Sequence, residues 1–440
     1  MSMFPRLLTT VWAGIRLLDY IHSLRSKTAR NILVVFGGNV LGSFITALAA
    51  LVIIRNLSKA EYGAIMIFQT TIALAAGLIL QGLNWALIKQ AASAQTDGKP
   101  QDADVVGTVF WVQTGVALTL LILGWLGAPM IAEQLLQEPA LVMFVRWGFV
   151  AMVGTVYMQF ASSVLQARNH FISSSGILLI GAMFSLGVNV LLLVSGQLTM
   201  VNAIIVFVIA PFLGALVGLV LIRKGCRSWR VNRGIFSKFV SDSRWMLVYT
   251  LLLWAYSRLD ILMLTRYRSL DEVAIYGAAN KIYAMILLGL HAINTVLLPR
   301  LSADKNPDGL RRFIVRYYRM MVPLALVVIP VFLVTSPWII WLLVGPEYDA
   351  SVPVLQVLLT SATLGLLFSP MVNVLFAVGW VRVVALFGSV FLIVGFSVQF
   401  LLTSSFGALG AAWATLIAYL TLNVACALGA WRLTRTPAVE

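Results

Sequence analysis

Charge is the scarcest commodity in this sequence of 440 residues: only 11% are Asp, Glu, Lys or Arg, against about 25% in an ordinary soluble domain. Acids are rarer still, 16 in all. The two cysteines, Cys226 and Cys426, lie far apart, which excludes a disulfide framework, and three histidines without ligand spacing exclude a histidine metal centre. No G-x-x-x-x-G-K-[ST] phosphate loop occurs, so nucleotide hydrolysis by that route is excluded. No metal or cofactor is expected.

What is present is apolar: 60% of the residues are hydrophobic. One soluble core cannot hide that much apolar surface, so the solvent must be lipid. In lipid every backbone N–H and C=O must be paired internally, which leaves helices or a closed barrel. Barrel strands would be short and alternating. Here the apolar runs are long and continuous, so the spans are helical.

A span needs about 20 apolar residues. Charge-free runs cover 32–54, 64–88, 105–127, 147–167, 171–195 and 197–222. After a basic stretch, Arg223 to Arg244, come 245–265 (with Arg258 and Asp260), 273–299 (with Lys281), 320–346 and 350–381. Val383 to Trp431 carries no charge and is long enough for two helices, with Thr403-Ser-Ser-Phe-Gly407 as the turn. The fold class is therefore an all-α polytopic membrane protein of about twelve transmembrane helices.

Orientation follows from Lys and Arg. With the N-terminus inside, 24 of the 31 basic residues fall in inside loops, four (Arg55, Lys59, Arg266, Arg268) outside, and three (Arg146, Arg258, Lys281) within spans. That bias places both termini in the cytoplasm. It also accounts for the net charge of +15 without nucleic acid as a partner. Residues 1–30 read as a basic, amphipathic cytoplasmic segment.

The two halves echo each other. Arg55-Asn-Leu-Ser-Lys-Ala-Glu-Tyr62-Gly63 and Arg268-Ser-Leu-Asp-Glu-Val-Ala-Ile-Tyr276-Gly277 both read Arg-x-Leu, acid, Tyr-Gly. Ala128-Pro129 matches Ser336-Pro337, and Val164-Leu-Gln-Ala167 matches Val374-Leu-Phe-Ala377. Landmarks in one order at nearly one offset indicate a duplicated six-helix unit, and an even number of spans makes the repeat parallel. The expected organisation is a basic segment 1–30, a bundle 31–222, a basic linker 223–244, a bundle 245–431 and a tail 432–440.

Two like-oriented bundles around a cleft is a transporter plan. Arg30-Asn31 before the first span, the Arg55-Asn-Leu-Ser-x-x-Glu-Tyr-Gly loop, Leu343-Val-Gly-Pro-Glu-Tyr348 and Phe406-Gly-Ala-Leu-Gly-Ala-Ala412 resemble the Wzx-type polysaccharide transporter flippases of the multidrug/oligosaccharidyl-lipid/polysaccharide (MOP) superfamily. The resemblance covers nearly the whole chain. It implies a MATE-like V-shaped pair of six-helix bundles that alternate access across the bacterial inner membrane. The implied substrate is an undecaprenyl-pyrophosphate-linked oligosaccharide for O-antigen, capsule or exopolysaccharide. The implied pathway neighbours are polymerase and chain-length proteins, and nothing in the fold requires more than a monomer in membrane lipid.

Such a substrate needs cations for its pyrophosphate and polar surface for its sugars. A charge retained at membrane depth is costly, about 2.5–3.5 kcal/mol on insertion scales, and is a functional candidate by default. Arg258 and Lys281 are expected to bind the pyrophosphate, with Asp260 tuning or releasing them or pairing with one of them structurally. Arg146, near a span end, binds ligand or snorkels to the interface. Among in-span polar residues, Gln81 and Asn84 share a helical face and are the leading sugar contacts. The aromatics Trp85, Tyr157, Tyr249, Trp254 and Tyr256 serve as stacking surfaces or as packing.

Three other readings differ in stated features. A multispan enzyme of glycan assembly should present paired carboxylates on sizeable external loops, and here the outside loops are short. A cation-coupled drug antiporter of the same superfamily should favour acids over bases in its cleft. A lipid II flippase usually carries two more helices. The topology is checked by a phosphatase reporter active only outside the cytoplasm: it is expected to be silent at Glu440 and active at Ser195, and the reverse pattern would invert the orientation.

Overall fold

The computed structural model describes residues 27–96, 102–223, 251–303 except Leu253 and Ala255, 307–377 and 381–433. Apart from short turns these segments are helical, as lipid requires. The first half comprises α1 (Lys27–Asn56), α2 (Lys59–Thr96), α3 (Asp102–Pro129), α4 (Val142–Ala167), α5 (Phe171–Val194) and α6 (Met200–Arg223). The second comprises α7 (Leu259–Tyr267), α8 (Leu270–Ala303), α9 (Pro307–Leu343), α10 (Ser351–Ala377) and α11 (Val381–Leu433). The helix α11 is two spans joined at Gly407, whose φ of 59° places the turn at the end of the Thr403–Gly407 segment that the sequence marks. The remainder of the expected linker 223–244 and of the basic segment 1–30 lies outside the described residues, apart from Arg223 and 27–30.

Eight stretches of the described residues are long and apolar enough to cross a membrane, with Val40–Asn56 a shorter ninth. The stretch Leu386–Gly429 holds the two arms of α11, and α7 and α8 complete a set of about twelve. Large apolar side chains such as Leu126, Val194, Trp338 and Leu342 stand exposed on the outer faces, as expected where the surroundings are lipid. Helices α1 to α6 pack on one another, and so do α7 to α11. Contact between the two sets runs mainly through α2 and α8, with α1 and α7 contributing.

Lipid offers no hydrophobic drive for helices to meet, so small residues set the approaches. Within the first bundle, Gly214 and Gly218 of α6 lie against Met158, Ala161 and Ile177. Between the bundles, Gly63 of α2 faces the backbone carbonyl of Leu270, and Gly277 of α8 faces the Met66 side chain. Gly77 of α2 receives the Trp254 indole, whose Nε1 donates to the Ala73 carbonyl at 2.9 Å. Tyr62 and Tyr276, the aromatic partners in the repeated Tyr-Gly pairs, are each 1% exposed.

The start of α2 is a capping box: the Ser58 N–H donates to Glu61 Oε2 at 2.9 Å, and the Glu61 N–H donates to Ser58 Oγ at 3.3 Å. At the start of α8 the Glu272 N–H donates to Ser269 Oγ at 3.4 Å. The Glu272 carboxylate is used elsewhere, accepting the Ala408 N–H at 3.0 Å and so holding the Gly407 turn. These caps set Ser58 against Ser269 and Arg55 against Arg266, an offset of 211 (269 minus 58, 266 minus 55). The repeat register at this turn thus pairs Arg55 with Arg266, two residues from the Arg55–Arg268 match that sequence alone suggests.

Because a Cβ at Gly63 would meet a backbone carbonyl that has no free room to move, Gly63→Ala is expected to destabilise the protein by about 1–3 kcal/mol. Gly115→Ala, with open space around it, is expected to be neutral or better. Thermal unfolding in detergent reads the difference, and equal midpoints for the two variants would contradict this packing.

Candidate functional site

The span ending at Tyr267 is broken. Ser257 and Arg258 form a turn, and α7 restarts at Leu259 with Arg258 as its N-cap residue (φ −126°, ψ 1°). The Ser257 N–H and Oγ both donate to the Trp254 carbonyl, at 3.1 and 2.7 Å, which satisfies a carbonyl the break releases. Irregular backbone at membrane depth persists only where protein or a cavity serves its polar groups, and discontinuous helices are a usual place for transporter sites. No proline or glycine marks this break in the sequence.

Three candidate residues cluster at it. The Arg258 guanidinium lies over the Trp254 ring, 5.9 Å from its centroid, and its Nε is buried without a hydrogen-bond partner. Arg258 lies within electrostatic reach of both Asp260 and Lys281. Lys281 Nζ donates to Gln69 Oε1 across the bundle interface at 2.8 Å. Arg258 and Lys281, the two cations expected to act together, thus lie in one electrostatic neighbourhood.

Asp260 sits in that neighbourhood, but its hydrogen bonds lead away from both cations. It is 9% exposed; Oδ1 accepts the Ile261 N–H at 2.8 Å and Oδ2 accepts the Tyr276 hydroxyl. Neither an Asp260–Arg258 nor an Asp260–Lys281 ion pair is found among the described residues. Asp260 is held instead inside the second bundle, between the α7 backbone and Tyr276 of α8. Tyr256, one of the aromatics the sequence offers for stacking, packs inside that bundle on Phe391, with ring centroids 4.5 Å apart.

The other candidates are placed elsewhere. Arg146 is stacked on Trp125, 5.4 Å from its ring centroid, and its Nε donates to the Trp125 carbonyl at 3.4 Å. The guanidinium is thus satisfied by Trp125, as a snorkelling cation would be. Asn84 Oδ1 accepts from Gln113 Nε2 at 2.8 Å, tying α2 to α3. Tyr157 donates to Thr114 Oγ1 at 2.9 Å. The side chains of Gln81 and Trp85, and all of Tyr249, lie outside the described residues.

A cavity of about 800 Å³ adjoins Lys281. It lies within the first bundle, among α1, α2, α4, α5 and α6, and is closed on the other side by Lys281, Ala284 and Met285 of α8. Its polar lining is of amides and hydroxyls: Gln69, Gln159 and Gln166, with Ser43, Thr46, Thr155 and Ser185. The Ser185 hydroxyl is buried there without a partner. Among the described lining residues there is no Asp or Glu, and Lys281 is the one charged group. The cavity runs from Lys281 to Gln166, one residue from the end of α4. Of the three glutamines, Gln166 is the one that nothing in the sequence singles out. Gln69 and Gln159 stand in the sequence as in-span polar residues, and only the fold shows that they converge.

Fold and site together define an all-α polytopic membrane protein with a polar cavity among its helices. An inward-facing multidrug resistance MATE family transporter superposes with a TM-score of 0.72 at 12% identity, over 90% of this chain and 96% of that one. The lipid II flippase MurJ, in an inward closed conformation, gives 0.71 at 13% identity over 90% and 87%. An outward-facing MATE family transporter gives 0.65 at 12% identity over 94% and 98%. The family model described as polysaccharide biosynthesis protein matches residues 28–303, and the chain belongs to that family. No curated protein shows significant sequence similarity to it.

The Asp260 geometry generates a stability prediction. Asp260→Ala leaves the buried Tyr276 hydroxyl and the Ile261 N–H without their acceptor, at a cost of about 1–3 kcal/mol. Asp260→Asn keeps one carbonyl oxygen and should lose less. Detergent melting curves that rank the two variants the other way would contradict this assignment.

Proposed function

We propose that the protein is a flippase that moves an undecaprenyl-pyrophosphate-linked oligosaccharide across the bacterial inner membrane by alternating access. Such a flippase would serve O-antigen, capsule or exopolysaccharide synthesis. The observation that carries this reading is the acid-free polar cavity with Lys281 in its wall, in a chain of the polysaccharide biosynthesis family. Amides and hydroxyls match sugar hydroxyls, which both donate and accept. A volume of about 800 Å³ stands in the upper part of the usual range for small-ligand sites and suits a short oligosaccharide. Lys281, with Arg258 close by, supplies positive charge for a pyrophosphate, and the polyprenyl tail can remain in lipid.

In this reading the parts divide the work. Gln69 holds the Lys281 ammonium at the cavity wall by its hydrogen bond, so the charge is positioned before the ligand arrives. Arg258, on the broken helix, has an unpartnered Nε to offer. The glutamines orient the sugar head. Asp260, satisfied by Tyr276 and Ile261, keeps the restart of α7 in place and leaves the two cations free of a competing carboxylate. A cation exporter would need the opposite polarity in this cavity, which argues against the drug-antiporter reading. A membrane enzyme would need an acid/base pair in it, and the lining supplies none.

The mutants test the charged site. Removing a charge-assisted hydrogen bond is worth about 1.5–3 kcal/mol, so Lys281→Ala and Arg258→Ala should each cut surface polymer production roughly tenfold or more, with normal amounts of protein in the membrane. Full polymer from both variants would refute the site. Loss of both proteins from the membrane would assign the cations to structure instead.

A further inference from the structure

The end of the molecule that carries the turns at 57–58 and 268–269 holds two hydrogen-bonded clasps between the bundles, built in the same way in opposite directions. Arg55, at the end of α1, donates through Nε to the Leu343 carbonyl at 3.0 Å and through a terminal nitrogen to the Leu342 carbonyl. Those are the last residues of α9, in the other bundle. Arg266, at the end of α7, donates through one terminal nitrogen to the carbonyls of Gln134 and Leu135 at 2.7 and 2.8 Å. Those are the last residues of the π-helical segment Met130–Leu135 that prolongs α3, again in the other bundle. The first span of each half thus reaches across to cap the third span of the other.

The numbering shows that this is one device made twice. Arg55 and Arg266 are 211 residues apart, and Gln134–Leu135 and Leu342–Leu343 are 208 apart, within the range of offsets at which the two halves repeat. The chemistry is also the same on both sides. The last carbonyls of a helix have no intrahelical partner and carry the negative end of its dipole, so a guanidinium satisfies both needs at once. A third contact joins the bundles at this end, Lys59 Nζ lying 5.6 Å from the Tyr348 ring centroid. Arg268 provides a contrast. It donates to the Ser404 carbonyl at 2.8 Å, a bond of the same kind at the same end but inside one bundle.

We propose that Arg55 and Arg266 form a reciprocal gate: two arginine-to-helix-end latches that hold this end of the transporter closed and must release together when it opens. Eleven residues past each arginine (66 minus 55, 277 minus 266), α2 and α8 meet where Met66 packs on Gly277, so separating the bundles at this end pulls both guanidinia off their carbonyls in one movement. The acceptors are backbone atoms at a membrane surface, where water can take over their hydrogen bonds. Opening therefore leaves no bare buried charge, and the latch can be broken and remade in every cycle. This inference rests on the transporter class and not on the identity of the substrate, and its test uses no substrate.

The test is maleimide labelling of Met66→Cys in the full-length protein in detergent, with Cys226→Ser and Cys426→Ser removing the native thiols. Met66 is 2% exposed at the crossing. Arg55→Ala and Arg266→Ala together should raise the labelling rate roughly tenfold or more, since charge-assisted bonds are lost on both sides. Each single change should give an intermediate rate, and Arg268→Ala should label like the parent. A parental rate in the double variant would overturn the proposal, and so would a rise with Arg268→Ala equal to that with Arg266→Ala. Ala161→Cys, inside the first bundle, reports on the fold: it should stay protected in the double variant, and its exposure there would mean that the latches hold the fold together and do not gate it.

Discussion

Lipid cannot hydrogen-bond, and this one constraint shapes both the helices and the way they meet. Every span pairs its own backbone, so what remains to be satisfied is at helix ends and breaks. Lipid also removes the usual drive for two apolar surfaces to associate, so the bundles hold each other by close packing and by polar contacts. Gly63, Gly77 and Gly277 provide the approach. The ends of α9 and of the Met130–Leu135 segment provide carbonyls, and Arg55 and Arg266 answer them. The contacts between bundles follow α2 from its first turn to Gly77, and the cavity lies among the helices of the first bundle with α8 at its edge.

The same constraint explains the position of the charged cluster. A break in a span exposes backbone groups that lipid cannot serve, so it is retained only where the protein uses it. At Ser257–Arg258 the released Trp254 carbonyl is served by Ser257, while Trp254 itself fills the hollow at Gly77. Arg258 is thereby placed beside an aromatic face and near Lys281 instead of out in lipid. The cavity is asymmetric in consequence: its wall comes from the first bundle and its charge from the second.

The fold was largely legible in the residues because apolar run length and loop charge are the variables lipid selects. The turn at Gly407 could be read because a left-handed φ favours glycine. The break at Arg258 could not, since Ala255-Tyr-Ser-Arg258 contains no helix breaker and the interruption is held by tertiary contacts. Arg258 and Lys281 stand out in the sequence because charge at membrane depth is conspicuous. Gln69, the partner of Lys281, does not, because one glutamine among the in-span polar residues has no distinguishing mark. Asp260 was assigned toward the cations by proximity in sequence, and its hydrogen bonds go instead to Tyr276 and the α7 backbone. Arginine latches are invisible for a different reason: their acceptors are main-chain carbonyls, which every residue possesses.

The proposed function is that this protein carries a lipid-linked glycan across the membrane. Mass spectrometry of the undecaprenyl-pyrophosphate oligosaccharide pool, in cells with and without the gene, tests it most directly. The account predicts that a single such glycan accumulates when the gene is lost, with surface polymer missing, and the accumulated species would identify the sugar. An unchanged pool, accompanied by new sensitivity to cationic dyes, would contradict it and return the protein to the drug-antiporter class.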